Sequence, residues 1–205
     1  MKKMKFLNYS NLIDPLLKDI RVFTIKFAEI KEGDRVLDIC CGTGDQVFHY
    51  AKTGAIVAGI DLSPKMIGTA LKKQKKQTFT DIYFQAADAA DLPFEDSIFD
   101  IASISLALHE IESAKRDAVI SEMKRVVKKD GSLIFIDFQI PLPKTITSYF
   151  VKVIEYFAGK DHHQNFKSYL KEGGLSALLE RNKLKEEKVD YLKDGLLTII
   201  KTKNL

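Results

Sequence analysis

At 205 residues, 45% apolar and 29% charged, the chain has the composition of one globular domain with a sizeable core, which excludes a disordered or fibrous protein. The net charge of +4 is spread along several lysine-bearing helices, and the densest group, Lys72, Lys73, Lys75 and Lys76, reads as a solvated helix end, so nucleic-acid binding is not expected. Apolar runs fall far short of the roughly 20 residues needed to cross a bilayer, and no apolar core follows the basic start before Asn8, Tyr9, Ser10 and Asn11, so a cytoplasmic protein is expected.

In chain order, Asp14-Pro15 opens a long amphipathic helix whose apolar positions Leu16, Ile20, Phe23 and Phe27 recur at helical spacing up to a stop at Gly33. Val36-Leu37-Asp38-Ile39 is a short strand, followed by the turn Gly42-Thr43-Gly44 and a helix ending near Gly54. Ile56 to Ile60 forms a second strand, Ser63-Pro64 starts the next helix, and Ile82-Tyr83-Phe84 forms a third strand. Phe99 to Ile104 and a run within Gly131 to Phe138 supply strands four and five, around a helix carrying Val119, Met123, Val126 and Val127. Strand and helix alternate five times, which predicts an α/β, doubly wound (Rossmann-like) sheet with helices on both faces. The tail departs from this rhythm: Leu184 to Leu192 and Leu196 to Thr202 are strand-like and meet at Asp194-Gly195, a hairpin signal. One domain spanning 1–205 is expected, with a helical insertion at 141–174 whose helix bears Ile146, Phe150, Val153, Ile154 and Phe157.

Ligands of such sheets bind beyond the carboxyl ends of the strands, and here those ends are acidic: Asp38 after strand one, Asp61 after strand two, Asp88 after strand three. Gly42 and Gly44 allow the tight turn that brings a helix N-terminus to a ligand. A nicotinamide dinucleotide uses the same turn, but Val47 replaces the third glycine of its fingerprint and Asp38 would stand close to a pyrophosphate. S-adenosylmethionine (SAM) offers an ammonium, a sulfonium, a ribose diol and an adenine amine, and no phosphate. Asp38 can accept from the ammonium, Asp61 from the ribose hydroxyls and Asp88 from the adenine amine. Each aspartate alone would serve equally well as a helix cap.

The runs Val36 to Gly44, Gly59-Ile60-Asp61-Leu62-Ser63-Pro64-Lys65-Met66, Ala87 to Phe94, Phe99-Asp100 and Leu106-Ala107-Leu108-His109-Glu110 together resemble the class I SAM-dependent methyltransferases. The likeness is to their small-molecule branch, which includes the ubiquinone and menaquinone biosynthesis methyltransferases. It covers Arg35 to Phe138 and weakly the tail. It implies a seven-stranded sheet of order 3-2-1-4-5-7-6 with strand seven antiparallel, and methyl transfer from SAM to a small-molecule acceptor with S-adenosyl-L-homocysteine as product. It places Cys41 in the first cofactor motif, Leu62 and Met66 around ribose and adenine, Ala87 and Ala89 beside the ring, and Ser105 near the methionine portion. Where the family often has glycine this chain has Cys40, so the turn there must accommodate a side chain. The adjacent Cys40 and Cys41 read as small apolar fillers rather than nucleophiles.

His109, just after strand four, is the first candidate base, with an alternative role of orienting its loop. His162 and His163 lie in the insertion among Tyr149, Phe150, Tyr156, Phe157, Phe166 and Tyr169, and His163 is the second candidate; most of these aromatics read as core. Adjacent histidines without spaced partner ligands make a poor metal site, and no metal is expected. The aromatic surroundings suggest a phenol, quinol or thiol acceptor, residues 1–33 a helical lid over the cofactor, and the assembly a monomer or homodimer. The competing readings are a nicotinamide-dependent oxidoreductase and a non-catalytic SAM-binding protein.

Overall fold

The computed structural model describes residues 9–145 and 159–205. Its elements in chain order are α1 (Tyr9–Ala28), β1 (Arg35–Ile39), α2 (Asp45–Ala51), β2 (Ile56–Asp61), α3 (Pro64–Gln74), β3 (Ile82–Ala86), β4 (Phe99–Ser105), α4 (Ser113–Val126) and β5 (Val127–Phe138). After the insertion come α5 (Lys160–Lys171), α6 (Gly174–Arg181), β6 (Glu186–Leu192) and β7 (Leu197–Lys203). The expected helix bearing Ile146 to Phe157, with Tyr149 and Tyr156, lies outside the described residues.

The strands form one sheet of order β3-β2-β1-β4-β5-β7-β6, with β7 antiparallel to both its neighbours and the other pairs parallel. β1 sits near the middle, and its Val36, Leu37 and Ile39 are wholly buried. Burying each such side chain is worth ~1.5–3 kcal/mol, which explains why β1 beyond its exposed first residue, Arg35, is apolar apart from Asp38. The helices α2 and α3 pack on β1 to β3, while α4 and α6 pack on β5.

Local chemistry sets the element ends. The Ser63 hydroxyl accepts from the Met66 amide at 3.4 Å and Pro64 takes the first helical position of α3. The hairpin turns through Lys193, Asp194 and Gly195, all with positive φ. Three sequence expectations are corrected. Asp14-Pro15 does not open the first helix: α1 begins at Tyr9, and Pro15 is accommodated inside it. That helix also stops at Ala28, because Glu29 adopts φ 61° and the Ile30 amide closes back on the Ile25 carbonyl at 3.2 Å, leaving Gly33 to pair with Gly54 in the next turn. Val127 belongs to β5, not to α4.

Val47 of α2 faces Gly59 of β2, where a Cβ would lie 2.8 Å from Val47 Cγ2 and 2.9 Å from the Phe84 ring. Helix and strand therefore approach closely where β2 has no side chain.

Candidate active site

The turn after β1 is built from left-handed residues: Cys40 at φ 57°, Gly42 at 54° and Gly44 at 82°. The Cys41 amide donates to the Ile60 carbonyl at 2.8 Å and the Gly44 amide to the Cys41 carbonyl at 2.9 Å, so the turn is pinned to the tip of β2. At Gly44 a side chain is excluded twice, by φ and by space, since a Cβ would sit 2.6 Å from Phe84 Cζ. Cys40 bears the strain of a side chain at positive φ, as its departure from glycine required. Burial, reinforced by Asp61 and Asp38, pushes both cysteine thiols far above their ordinary range, consistent with packing rather than nucleophilic roles.

The three strand-end carboxylates differ in setting. Asp38 is 2% exposed and accepts from the Ser103 hydroxyl at 2.8 Å. Burial pushes its carboxyl up to about 7, against the opposing effects of Ser103 and Arg21, with Asp61 adding to the rise. Burial and Asp38 likewise raise the phenol of buried Tyr50. Asp61, at the tip of β2, accepts from the Gly42 amide and the Ser63 amide, both at 2.9 Å, and so joins the glycine turn to the start of α3. Asp88 accepts from the Ala90 amide at 2.9 Å and lies 3.5 Å from the Lys115 ammonium.

Leu62 and Met66 flank Asp61 and are 69% and 42% exposed, an apolar surface left open beside a carboxylate. The Ala87 amide donates to the Asp61 backbone carbonyl at 3.1 Å, Ala89 is buried, and Ser105 is the half-buried last residue of β4. Among the described residues, no group of histidines, cysteines or carboxylates is arranged to hold a metal ion.

Across the sheet, His109 is buried under α5, its ring edge-on to Phe138, Phe166 and Tyr169 with centroids 4.8, 5.8 and 6.3 Å away. Its Nδ1 lies 2.6 Å from Asp137 Oδ1, its backbone amide donates to Asp137 Oδ2 at 3.1 Å, and its Nε2 lies 3.8 Å from Glu110. His162 is exposed, with Nδ1 3.9 Å from the same Glu110 oxygen. His163 is half-buried in the first turn of α5, its amide donating to the Gly159 carbonyl at 3.0 Å. Phe166 and Tyr169 are core, as expected.

Sequence reasoning missed three residues. Asp137 is fully buried and holds His109; a lone acid within Phe135-Ile136-Asp137-Phe138 was the available signal. Arg116, 1% exposed, donates to the Leu108, Ile111 and Asn165 carbonyls, to Ser168 and to Glu172, tying the loop after β4 to α5. It occupies the same helix stripe as Val119, Ile120, Met123 and Val126, a spacing that marks it as inward-facing. Lys73 is not part of a solvated helix end: it is half-buried and bonded to Thr43 and Asp45.

The sequence pattern of a family described as a methyltransferase domain matches residues 30–174. A demethylmenaquinone methyltransferase of Bacillus subtilis is 30% identical over 71% of this chain and 64% of its own length. An uncharacterised methyltransferase of Synechocystis is 39% identical over 55% of this chain and 50% of its own. The chain thus spans between half and two thirds of the length of these curated relatives. A SAM-dependent methyltransferase from Aquifex aeolicus shares the fold, with a TM-score of 0.71, 19% identity and 96% of each chain covered. With its seven-stranded sheet and its match over residues 30–174, the chain belongs to the methyltransferase domain family.

Proposed function

We propose that this chain binds SAM over the tips of β1, β2 and β3 and catalyses transfer of its methyl group to a small aromatic or quinol-like acceptor beside α5. The observation that carries the reading is the single ligand face formed by the Gly42–Gly44 turn, the Asp61 carboxylate bonded to it, and the open apolar surface of Leu62 and Met66. The donor set fits SAM: carboxylates for its cationic and hydroxyl groups, apolar surface for its ring, and no requirement for phosphate. Family membership sets aside the nicotinamide alternative. The quinol-type acceptor is supported by the name of the Bacillus subtilis relative.

When bound, SAM supplies a methyl group activated by its sulfonium. The protein's work is orientation, which in the best intramolecular cases is worth roughly 7 to 11 kcal/mol. Asp61 would present lone pairs to the ribose hydroxyls, Asp88 would accept from the adenine amine, and Asp38, ionised above about 7, would accept from the ammonium. Cys41, Ala87, Ala89 and Ser105 contribute the walls between them. His109 is the first candidate base: with Nδ1 directed at Asp137, Nε2 is the nitrogen that would take the acceptor's hydroxyl proton. His163 is the second candidate base, residues 1–33 the lid, 141–174 the acceptor wall, and the whole one cytoplasmic domain. Among the described residues no helix is long and apolar enough to cross a membrane.

Calorimetric titration with SAM, S-adenosylhomocysteine and NADH, repeated on Asp61→Ala, tests the cofactor. Micromolar binding of both adenosyl ligands, weakened at least tenfold in the variant and absent for NADH, is expected. Wild-type protein that binds neither adenosyl ligand refutes the reading, and SAM binding without methylation of any quinol, phenol or thiol offered leaves a non-catalytic SAM-binding protein.

A further inference from the structure

We propose that Lys73, near the end of α3, is a positioning residue for the cofactor turn, holding residues 42–45 in their binding form by clamping Thr43 and Asp45 together. The inference rests on the SAM reading above. Its Nζ donates to Asp45 Oδ1 at 2.8 Å, to Asp45 Oδ2 at 2.7 Å and to Thr43 Oγ1 at 2.8 Å, so all three ammonium protons are used. The Thr43 hydroxyl donates in turn to Asp45 Oδ2 at 2.8 Å, closing a ring of bonds around Gly44. Burial favours the neutral Asp45 carboxyl, yet Lys73 and Thr43 outweigh it and hold the group below its ordinary value. By contrast, Lys72, Lys75 and Lys76 are exposed and form no ion pair among the described residues.

The need for a clamp follows from the turn itself. It contains two glycines, which lose more freedom on ordering than other residues, and a cysteine strained at positive φ. It leads into α2, a helix of seven residues, too short to be stable on its own. A second side-chain tie, Asp61 to the Gly42 amide, comes from a residue that must also face the ligand. Lys73 anchors the far side of Gly44 to a neighbouring helix without standing on the ligand face. Ordering the turn beforehand removes from binding the cost of ordering it then.

The test pairs SAM titration with amide hydrogen exchange on Lys73→Met, Asp45→Asn and Lys73→Arg. Lys73→Met and Asp45→Asn are each expected to weaken SAM binding five- to twentyfold and to speed exchange of the amides of residues 42–48, with exchange in β4 and β5 unchanged. Adding Thr43→Val to Lys73→Met should weaken binding little further. Lys73→Arg, which keeps charge and donors, should restore affinity to within threefold of wild type, a rescue that simple helix packing would not require. Affinity within twofold of wild type in Lys73→Met, or unchanged exchange across 42–48, overturns the clamp. Failure of the wild-type protein to bind SAM overturns the cofactor reading instead, and the exchange data then decide the clamp by themselves.

Discussion

Over β1, β2 and β3 the ligand-side groups combine short-range bonds, Asp61 with Ser63 two residues on, Asp88 with Ala90 and Thr43 with Asp45, with the long-range bonds of Asp38 to Ser103 and Lys73 to Asp45. Over β4 and β5 the corresponding groups meet across the chain: His109 and Asp137 are 28 residues apart, Arg116 and Glu172 56, Ser113 and Glu172 59. The first region is polar and open, with Leu62 and Met66 exposed, while the second is closed and aromatic around buried His109. On the proposed function, a site assembled this way separates a generic task, holding the cofactor, from a particular one, shaping the acceptor's surroundings. Changes on one side should leave the other measurable.

The hardest blow to that separation falls on the β4–β5 side. Arg116→Met removes a buried guanidinium that donates to the Leu108, Ile111 and Asn165 carbonyls and to Glu172, leaving Glu172 to Ser113 and Arg181, and a loss of about 3 kcal/mol is expected. Thermal unfolding should fall by roughly 6–12 °C for a chain of this size. SAM affinity should stay within twofold at 20 °C; a parallel loss of affinity would show that the two regions are mechanically one.

Next in size is a change confined to the cofactor side. Gly44→Ala introduces a side chain at φ 82°, 2.6 Å from Phe84, with an expected strain of about 1–3 kcal/mol. Calorimetry should find SAM binding at least tenfold weaker, while hydrogen exchange in α5 remains as in wild type.

The smallest effect sharpens the contrast through pH. The Asp38 carboxyl is raised from 3.8 to about 7 in the fold, so between those values the folded state keeps a proton that the unfolded chain has lost. Its contribution to stability therefore falls as pH rises through this window and is flat above about 7. The shift sets a ceiling of ~4 kcal/mol on that loss. Asp38→Asn removes the ionisation, and chemical denaturation should find it about 1–2 kcal/mol more stable than wild type at pH 8, with the advantage gone near pH 4. The groups facing Asp38 include Ser103 of β4, Arg21 of α1, Tyr50 of α2 and Asp61 of β2, and an equal slope in the variant would assign the pH dependence to a group other than Asp38.

The same contrast governs what could be read in advance. Strand runs such as Val36 to Ile39, the glycine turn and the acid at each strand tip are local patterns, and the sheet and its hairpin follow from them. Asp137 looked like one residue of a strand, and Arg116 like one polar position of a helix, because each acquires its role from a partner far along the chain. Lys73 was submerged among lysines of identical appearance; only the fold distinguishes the one that faces Thr43 and Asp45. Pro15 misled in the opposite direction, since a residue common at helix starts is here tolerated within one.

The contact between Val47 and Gly59 has a wider meaning for how such turns are recognised. In dinucleotide-binding units the third glycine of the fingerprint lies on the helix and lets it settle against the strand. Here the bulk sits on the helix and the vacancy on the strand, so the volume has been exchanged across the interface while the close approach is kept. The requirement belongs to the pair and not to either position, and a reciprocal Val47→Gly, Gly59→Val exchange should be tolerated better than Gly59→Val alone.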